Sequence, residues 1–352
     1  MTFCRKCGAK LDEDAKFCRV CGASVVSVTA ARPVGPKRRR PIYLIPAVIL
    51  ITVLLTTIVI AALLFLPFYP VNFNLTNQVP RANENNLLVD LQVDVANVNI
   101  SYKNLPNSMV LLNVTAVGNV GIFDAPDRVV NVTFTHQTAN NSEVVVASVS
   151  RIARWPSFYN LDVKCDVYVD PSANLSLSVR SSVGKIILEA DTKTTLQRID
   201  LETTTGRVDV SLSNRVVVAD SMSLKSTTGN VQFRMDKVEV SSNVSFNLRS
   251  TMGLVNLDLT ESQSLFGNAT VNARTTTGSI NLSLDIDGNV GARIESQTDV
   301  GRINVAVQKF SGNQTPLQSN NYPAGSNFLV NLRTTTGEIT ICAAYGSSAV
   351  LR

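Results

Sequence analysis

The chain has 352 residues, 45% hydrophobic and 17% charged, enough to bury one large core or two smaller ones. Its net charge of +5 is unevenly placed. Residues 1–41 hold ten Lys/Arg against three Asp/Glu, which is +7, so the remainder carries −2, and a nucleic-acid role for that remainder draws no support from charge.

The front opens with Cys4-Arg5-Lys6-Cys7-Gly8 and repeats the figure as Cys18-Arg19-Val20-Cys21-Gly22. Two Cys-x-x-Cys-Gly knuckles ten residues apart supply four thiolates, and the Gly after each pair lets backbone N–H groups turn toward the sulfurs. Cys4, Cys7, Cys18 and Cys21 are therefore read as a Zn²⁺ site. All four tetrahedral positions are filled, so the metal is structural. Arg5, Lys6, Lys16 and Arg19 are placed to offset the −2 charge of the Zn-thiolate centre. A redox dithiol would need a βαβ context that 25 residues cannot provide, and two disulfides would need an oxidising compartment. Residues 3–22 resemble the short zinc-ribbon modules at the N-termini of many prokaryotic membrane proteins. The resemblance implies contact with another protein or with nucleic acid, and a cytoplasmic protein partner is the expectation here.

Residues 26–41 read as a basic linker containing Lys37-Arg38-Arg39-Arg40, and Ile42 to Leu66 carries no charged residue. That length suits a helix crossing about 30 Å of hydrocarbon. Pro46 falls in its first turn, where no i−4 bond is lost. A signal peptide is the competing reading, but the run is too long for an h-region and begins about forty residues in. The expectation is one transmembrane helix over 42–66. The positive-inside rule then puts the ribbon in the cytoplasm and the rest outside the cell membrane. Ten Asn-x-Ser/Thr sequons from Asn74 to Asn313 permit glycosylation there without showing it.

Residues 67–175 read as a membrane-proximal β region, with alternating runs over Leu87–Ile100, Met109–Phe123, Val129–Thr135, Val144–Val149 and Leu161–Val169. Ala116-Val117-Gly118-Asn119-Val120 looks like a decayed copy of a phrase that governs the rest. This region is expected to cap or extend the sheets that follow.

Over 176–345 a Ser/Thr or β-branched run, one Gly and an alternating apolar strand recur, with glycines at 184, 206, 229, 253, 278, 301 and 337. The spacing is 22 to 25 residues except for the last interval of 36, and such periods mean a repeat architecture. Apolar pairs flanking each Gly, such as Leu201 and Val208 or Leu224 and Val231, lie seven apart. An uninterrupted strand would put them on opposite faces, so the chain must turn at the Gly. Two folds use that unit: a repetitive β-solenoid (β-helix-like), in which corner stacks on corner, or an all-β meander of antiparallel hairpins. The regular spacing favours the solenoid, so the expected fold class is mainly β, a β-solenoid with one transmembrane helix and a zinc ribbon. The long interval before Gly337 reads as an excursion from one coil, with Tyr322 its one large aromatic contact candidate.

Chemistry is sparse beyond the ribbon. His136 sits mid-strand, and Asp200, Asp209, Asp258, Asp285 and Asp287 recur near corners, where out-facing polar residues explain them as well as glycosidase carboxylates would. Cys165 and Cys342 read as free thiols, separated by several coils. Trp155 fills a junction or contacts a membrane face. No catalytic residue is assigned, and the expectation is not an enzyme.

The run from Val167-Tyr168-Val169-Asp170-Pro171 through the Gly corners, with its Thr-Thr-Gly-x-Val/Ile phrase, resembles a prokaryotic family of β-strand-repeat domains called putative adhesins. The resemblance covers roughly 167–342 and implies a repetitive β fold without catalytic residues. A membrane-anchored adhesion or binding scaffold taking a surface glycan or protein ligand is the expected function. The alternative is a transmembrane envelope sensor signalling through the zinc ribbon, while ice binding by stacked Thr remains a third reading.

Overall fold

The computed structural model describes residues 2–25, 44–65, 69–81, 85–120, 128–152, 160–213, 216–262, 265–313 and 315–346. They divide into two compact units, Met1–Ile60 and Ala61–Arg352. The proposed basic linker, Ile42, Leu66 and Trp155 lie outside the described residues.

In the first unit the ribbon pairs Thr2–Phe3 antiparallel with Lys10–Leu11 around a small core of Cys4, Leu11 and Cys18. A helix, α1, covers Leu44–Phe65. Thr52, Thr56 and Thr57 each donate a hydroxyl hydrogen bond to a carbonyl three or four residues back. The membrane-spanning helix expected over 42–66 is corrected here. Among the described residues no helix is long and apolar enough to cross a membrane.

The second unit is built from two sheets, which among the described residues have 14 and 11 strands. Its repeating rung is a strand in the first sheet, a corner, and a strand in the second: Thr195–Thr205, Gly206, Val208–Leu212 is one, and Met222–Thr228, Gly229, Val231–Asp236 is the next. Neighbouring rungs pair parallel and in register, Leu201 on Leu224 on Leu248 in the first sheet and Val210 on Phe233 on Leu257 in the second. These inward residues are at most 2% exposed. Burying each contributes about 1.5–3 kcal/mol. Phe233 and Phe246 meet across the core with ring centroids 5.2 Å apart.

The corners show why Gly is required. At Gly206 φ is +148°, and a Cβ would lie 1.8 Å from the Gly184 carbonyl oxygen. Gly229 repeats this over Gly206, again at 1.8 Å. One residue upstream of the Thr-Thr-Gly phrase lies a buried hydroxyl. Ser226 donates to the Gly206 carbonyl at 2.9 Å, Ser250 to Gly229 at 2.8 Å and Thr334 to Gly278 at 3.1 Å. The rungs of Gly206, Gly229, Gly253, Gly278, Gly301 and Gly337 each supply such a donor to a neighbouring corner, satisfying a carbonyl in a position shielded from water, whereas Ser181 of the Gly184 rung makes no such bond.

The expected fold class, a β-solenoid, is corrected as well. Coils of a solenoid follow one another in chain order, but here the order changes at both ends. Asn86–Val95 lies between Ser142–Arg151 and Asn174–Val183, while Ser326–Thr336 lies between Ala269–Thr277 and Val290–Val300. Antiparallel strands also occur at the ends of both sheets. Val130–Ala139 pairs with Ser142–Arg151, Tyr69–Pro80 with Ser108–Val120, and Leu317–Ser319 with Val290–Val300. The physical reason is the length of the irregular segments. The excursion before Ser326 lets the chain double back and return its last rung to the Gly278 rung, and the Leu317–Ser319 strand then covers the edge that would otherwise be left unpaired.

Two local expectations also change. Leu87–Ile100 is two strands, Asn86–Val95 and Asn97–Tyr102, with Ala96 in the corner beneath Gly184. Gly118 is not a corner; it lies within Ser108–Val120 and pairs antiparallel with Val71 and Leu161.

Candidate functional site

The two knuckles of the ribbon fold alike. The N–H of Cys4 donates to the Ala9 carbonyl and that of Gly8 to the Cys4 carbonyl, at 2.8 and 2.9 Å; Cys18 and Gly22 repeat the pattern on Ala23 and Cys18, both at 2.8 Å. Gly8 and Gly22 take φ of +74° and +72°, which turns each loop back on its cysteines. All four Sγ atoms then lie within 4.8 Å of one another, with Cys4–Cys21 and Cys7–Cys18 at 3.6 Å. A tetrahedron with Zn–S of 2.3 Å has edges of about 3.8 Å, so the set fits Zn²⁺.

Local dipoles favour thiolates at two of the four. Backbone N–H groups of Lys6 and Cys7 bring the Cys4 thiol down to about 6, and those of Val20 and Cys21 lower Cys18. At Cys7 the Ala9 N–H also lowers the value, but the neighbouring Cys21 and Cys18 sulfurs outweigh it and push the thiol up to about 12. A cation among the four removes that conflict by holding every sulfur as thiolate. Cys4, Cys7, Cys18 and Cys21 form a structural zinc site, and Arg19 reaches Asp12 at 4.0 Å on the exposed surface.

The remaining candidates are dispersed. His136 is exposed on Val130–Ala139. The strand carboxylates face cations rather than each other: Asp200 meets Lys225 at 3.7 Å, Asp209 meets Arg207 at 2.8 Å and Lys185 at 3.3 Å, and Asp258 meets Arg234 at 3.4 Å. Asp285 differs, with its carboxyl raised by burial and then by the charge of Asp287. Cys165 and Cys342 are free, and burial pushes the Cys165 thiol up to about 12, so it is protonated at neutral pH. Tyr322 lines a shallow groove with Thr270, Arg293, Glu295, Leu329 and Asn331. Asn268 and Asn281, both in sequons, spend their side chains on hydrogen bonds to Asn327 and Asn256.

A polar cluster missed by the sequence reading surrounds Asp170, which ends Asn160–Val169. Its carboxylate accepts from the Leu105 N–H at 2.9 Å, the Ser172 N–H at 3.0 Å, the Ser172 hydroxyl and Arg81 at 2.7 Å. Burial opposes the charge, but these donors, led by Ser172, hold the carboxyl below the usual carboxylate range. A lowered folded-state value stabilises the protein above the unfolded pKa of about 3.9 and is lost as pH falls through the folded value. Asp170→Asn is therefore expected to lower stability at pH 7 by about 2 kcal/mol and to flatten the acid limb of stability against pH. Urea unfolding from pH 7 down to pH 3 measures both, and an unaltered acid limb would count against the assignment.

Comparison with known proteins agrees with the ribbon: residues 3–25 match the zinc-ribbon domain family. No curated protein matches the chain. Among solved structures, it is similar to a "putative cell adhesion protein" from Clostridium sporogenes at 11% identity and TM-score 0.38, covering 77% of this chain and 99% of that one. It is also similar to a "putative adhesin" from Bacteroides fragilis at 16% identity and TM-score 0.35, covering 78% and 99%. A third, from Parabacteroides distasonis, shares 10% identity over 76% and 97% with TM-score 0.19.

Proposed function

We propose that the β unit is a binding scaffold of the adhesion kind, presented at the cell surface. The observation that carries this reading is the in-register repetition of outward polar side chains. Asn272 donates to Asn247 and Asn331 to Asn272, each at 3.0 Å, so identical groups recur along the first sheet at the strand spacing of about 4.8 Å. A polar row repeated over three adjacent strands offers multivalent contact to a repetitive ligand. His136 is exposed, and Asp200, Asp209 and Asp258 are each engaged with a cation, an arrangement suited to recognition. The ribbon, with Phe3, Phe17 and Val20 exposed on its surface, suits contact with a protein partner.

The test is a pull-down of isolated cell-wall material and of surface proteins by the purified full chain, with a parallel protease treatment of intact cells. Retention of one of these classes and cleavage of the β unit on intact cells are expected. Retention of neither, or a β unit spared until cells are lysed, would overturn the proposal.

A further inference from the structure

One outward row of the first sheet departs from the charge pairing seen elsewhere. Lys225, Arg249, Arg274 and Arg333 occupy the same position on four adjacent parallel strands, directly beside one another. Lys225 is paired with Asp200 at 3.7 Å. Among the described residues, the exposed guanidiniums of Arg249, Arg274 and Arg333 form no ion pair or hydrogen bond. Like charges directly opposite one another on neighbouring strands destabilise a sheet.

The surroundings do not relieve the repulsion. Two residues to either side along each strand stand Asn247 and Thr251, Asn272 and Thr276, Asn331 and Thr335. Acidic groups begin where the row ends. Glu202 faces Lys225, and Glu295, diagonal to Arg333, is held by Arg293 at 2.7 Å. The row is not a by-product of basic composition, because the chain beyond residue 41 carries −2. Arg207, Arg234 and Arg180, outward cations elsewhere in the unit, have carboxylate partners.

We propose that Arg249, Arg274 and Arg333 form a binding site for a linear acidic polysaccharide bearing a carboxylate on successive sugars. This deepens the adhesion reading and rests on it. Guanidinium forks bind carboxylates bidentately and keep their charge at any physiological pH. The three span about 10 Å at the strand spacing, the run of a short oligosaccharide. The Asn amides on one side and the Thr hydroxyls on the other, with Thr276 and Thr335 exposed, offer the donors and acceptors that sugar hydroxyls require. A shallow groove bordered by Arg274, Arg333, Asn331, Gln297 and Glu295, whose charge Arg293 offsets, shares Asn331 and Glu295 with the groove containing Tyr322. Single-stranded nucleic acid is the poorer occupant, because the three rows contain no aromatic ring and the adjoining groove offers the single ring of Tyr322, whereas successive bases stack on successive rings.

The experiment measures binding of the full chain to polygalacturonate, with dextran, oligodeoxythymidylate and phosphatidylglycerol vesicles in parallel. Polygalacturonate is expected to bind best and to weaken as salt rises. Substituting all three residues together, Arg249→Gln, Arg274→Gln and Arg333→Gln, should reduce binding at least tenfold without lowering thermal stability. The corresponding Lys substitutions should retain part of it, and Arg302→Gln in the second sheet should leave it unchanged. No polygalacturonate binding by the unsubstituted chain, or equal binding by the Gln variant, would overturn the assignment. Tighter binding to oligodeoxythymidylate or vesicles would also overturn it and reassign the row to nucleic acid or to a lipid surface. If the Gln variant still retains cell-wall material, the Arg site falls while the scaffold reading stands. If the unsubstituted chain retains nothing in either assay, both fall.

Discussion

Gly229→Ala is expected to destabilise the β unit by about 4 kcal/mol, combining backbone strain with overpacking against a rigid neighbour. At φ +141° an L side chain is strained whatever the space, and the added Cβ would meet the Gly206 carbonyl oxygen at 1.8 Å. That oxygen belongs to the backbone of the rung beneath, is held by the Ser226 hydroxyl and cannot swing aside as a flexible side chain would. Gly288→Ala provides the comparison: its φ is +63° and the nearest atom to a Cβ is the Ser262 carbonyl oxygen at 3.4 Å. It should cost only about 1 kcal/mol. Ser226→Ala removes the 2.9 Å donor to the Gly206 carbonyl and should cost about 1–2 kcal/mol, because a shielded acceptor loses its partner. Urea unfolding of the three variants ranks them. Equal losses at Gly229 and Gly288 would show that backbone φ, rather than the approach of successive rungs, sets the requirement for glycine.

Removing the metal should unfold the ribbon and leave the β unit intact. The buried core of the ribbon is Cys4, Leu11 and Cys18, two of them metal ligands, so little apolar burial remains without zinc. Structural zinc in modules of this size supplies about 10 kcal/mol of apparent folding free energy at neutral pH. A strong chelator is expected to release one zinc per chain and to abolish amide protection over residues 2–25. Cys18→Ser should produce the same loss without chelator. Acid should do so too, because protons compete with the metal for thiolate. A reduced protein without zinc, or a ribbon that keeps its amide protection in chelator, would refute the site.

The parts of this protein that were legible in its sequence are those in which a short local pattern has one physical solution. Two Cys-x-x-Cys-Gly knuckles place four sulfurs within reach of one metal whatever the rest of the chain does. The seven-residue apolar pairs about each corner demand a turn, and Leu201 and Val208 are both fully buried. The Ser226 hydroxyl could have been found from the Ser or Thr three residues before all seven corner glycines, but its acceptor belongs to the preceding rung and is invisible locally. Asp170 is harder still, since Arg81, Leu105 and Ser172 converge on it from up to 89 residues away.

The expectation of a membrane-crossing helix rested on apolar length alone, and the described helix does not support it. The expectation of sequential coils failed for a different reason. A repeat says that neighbours can pair, but parallel register is equally good above and below a rung, so it does not say which neighbour is taken. Sequence by itself determined the zinc ligands, the β character and the glycine corners from Gly184 to Gly337, because these depend on spacing within a few residues. Tertiary structure alone decided rung order, the antiparallel edges and the unpaired arginine row. Those depend on which strands the chain brings side by side, and that contact free energy is summed over residues far apart in the chain.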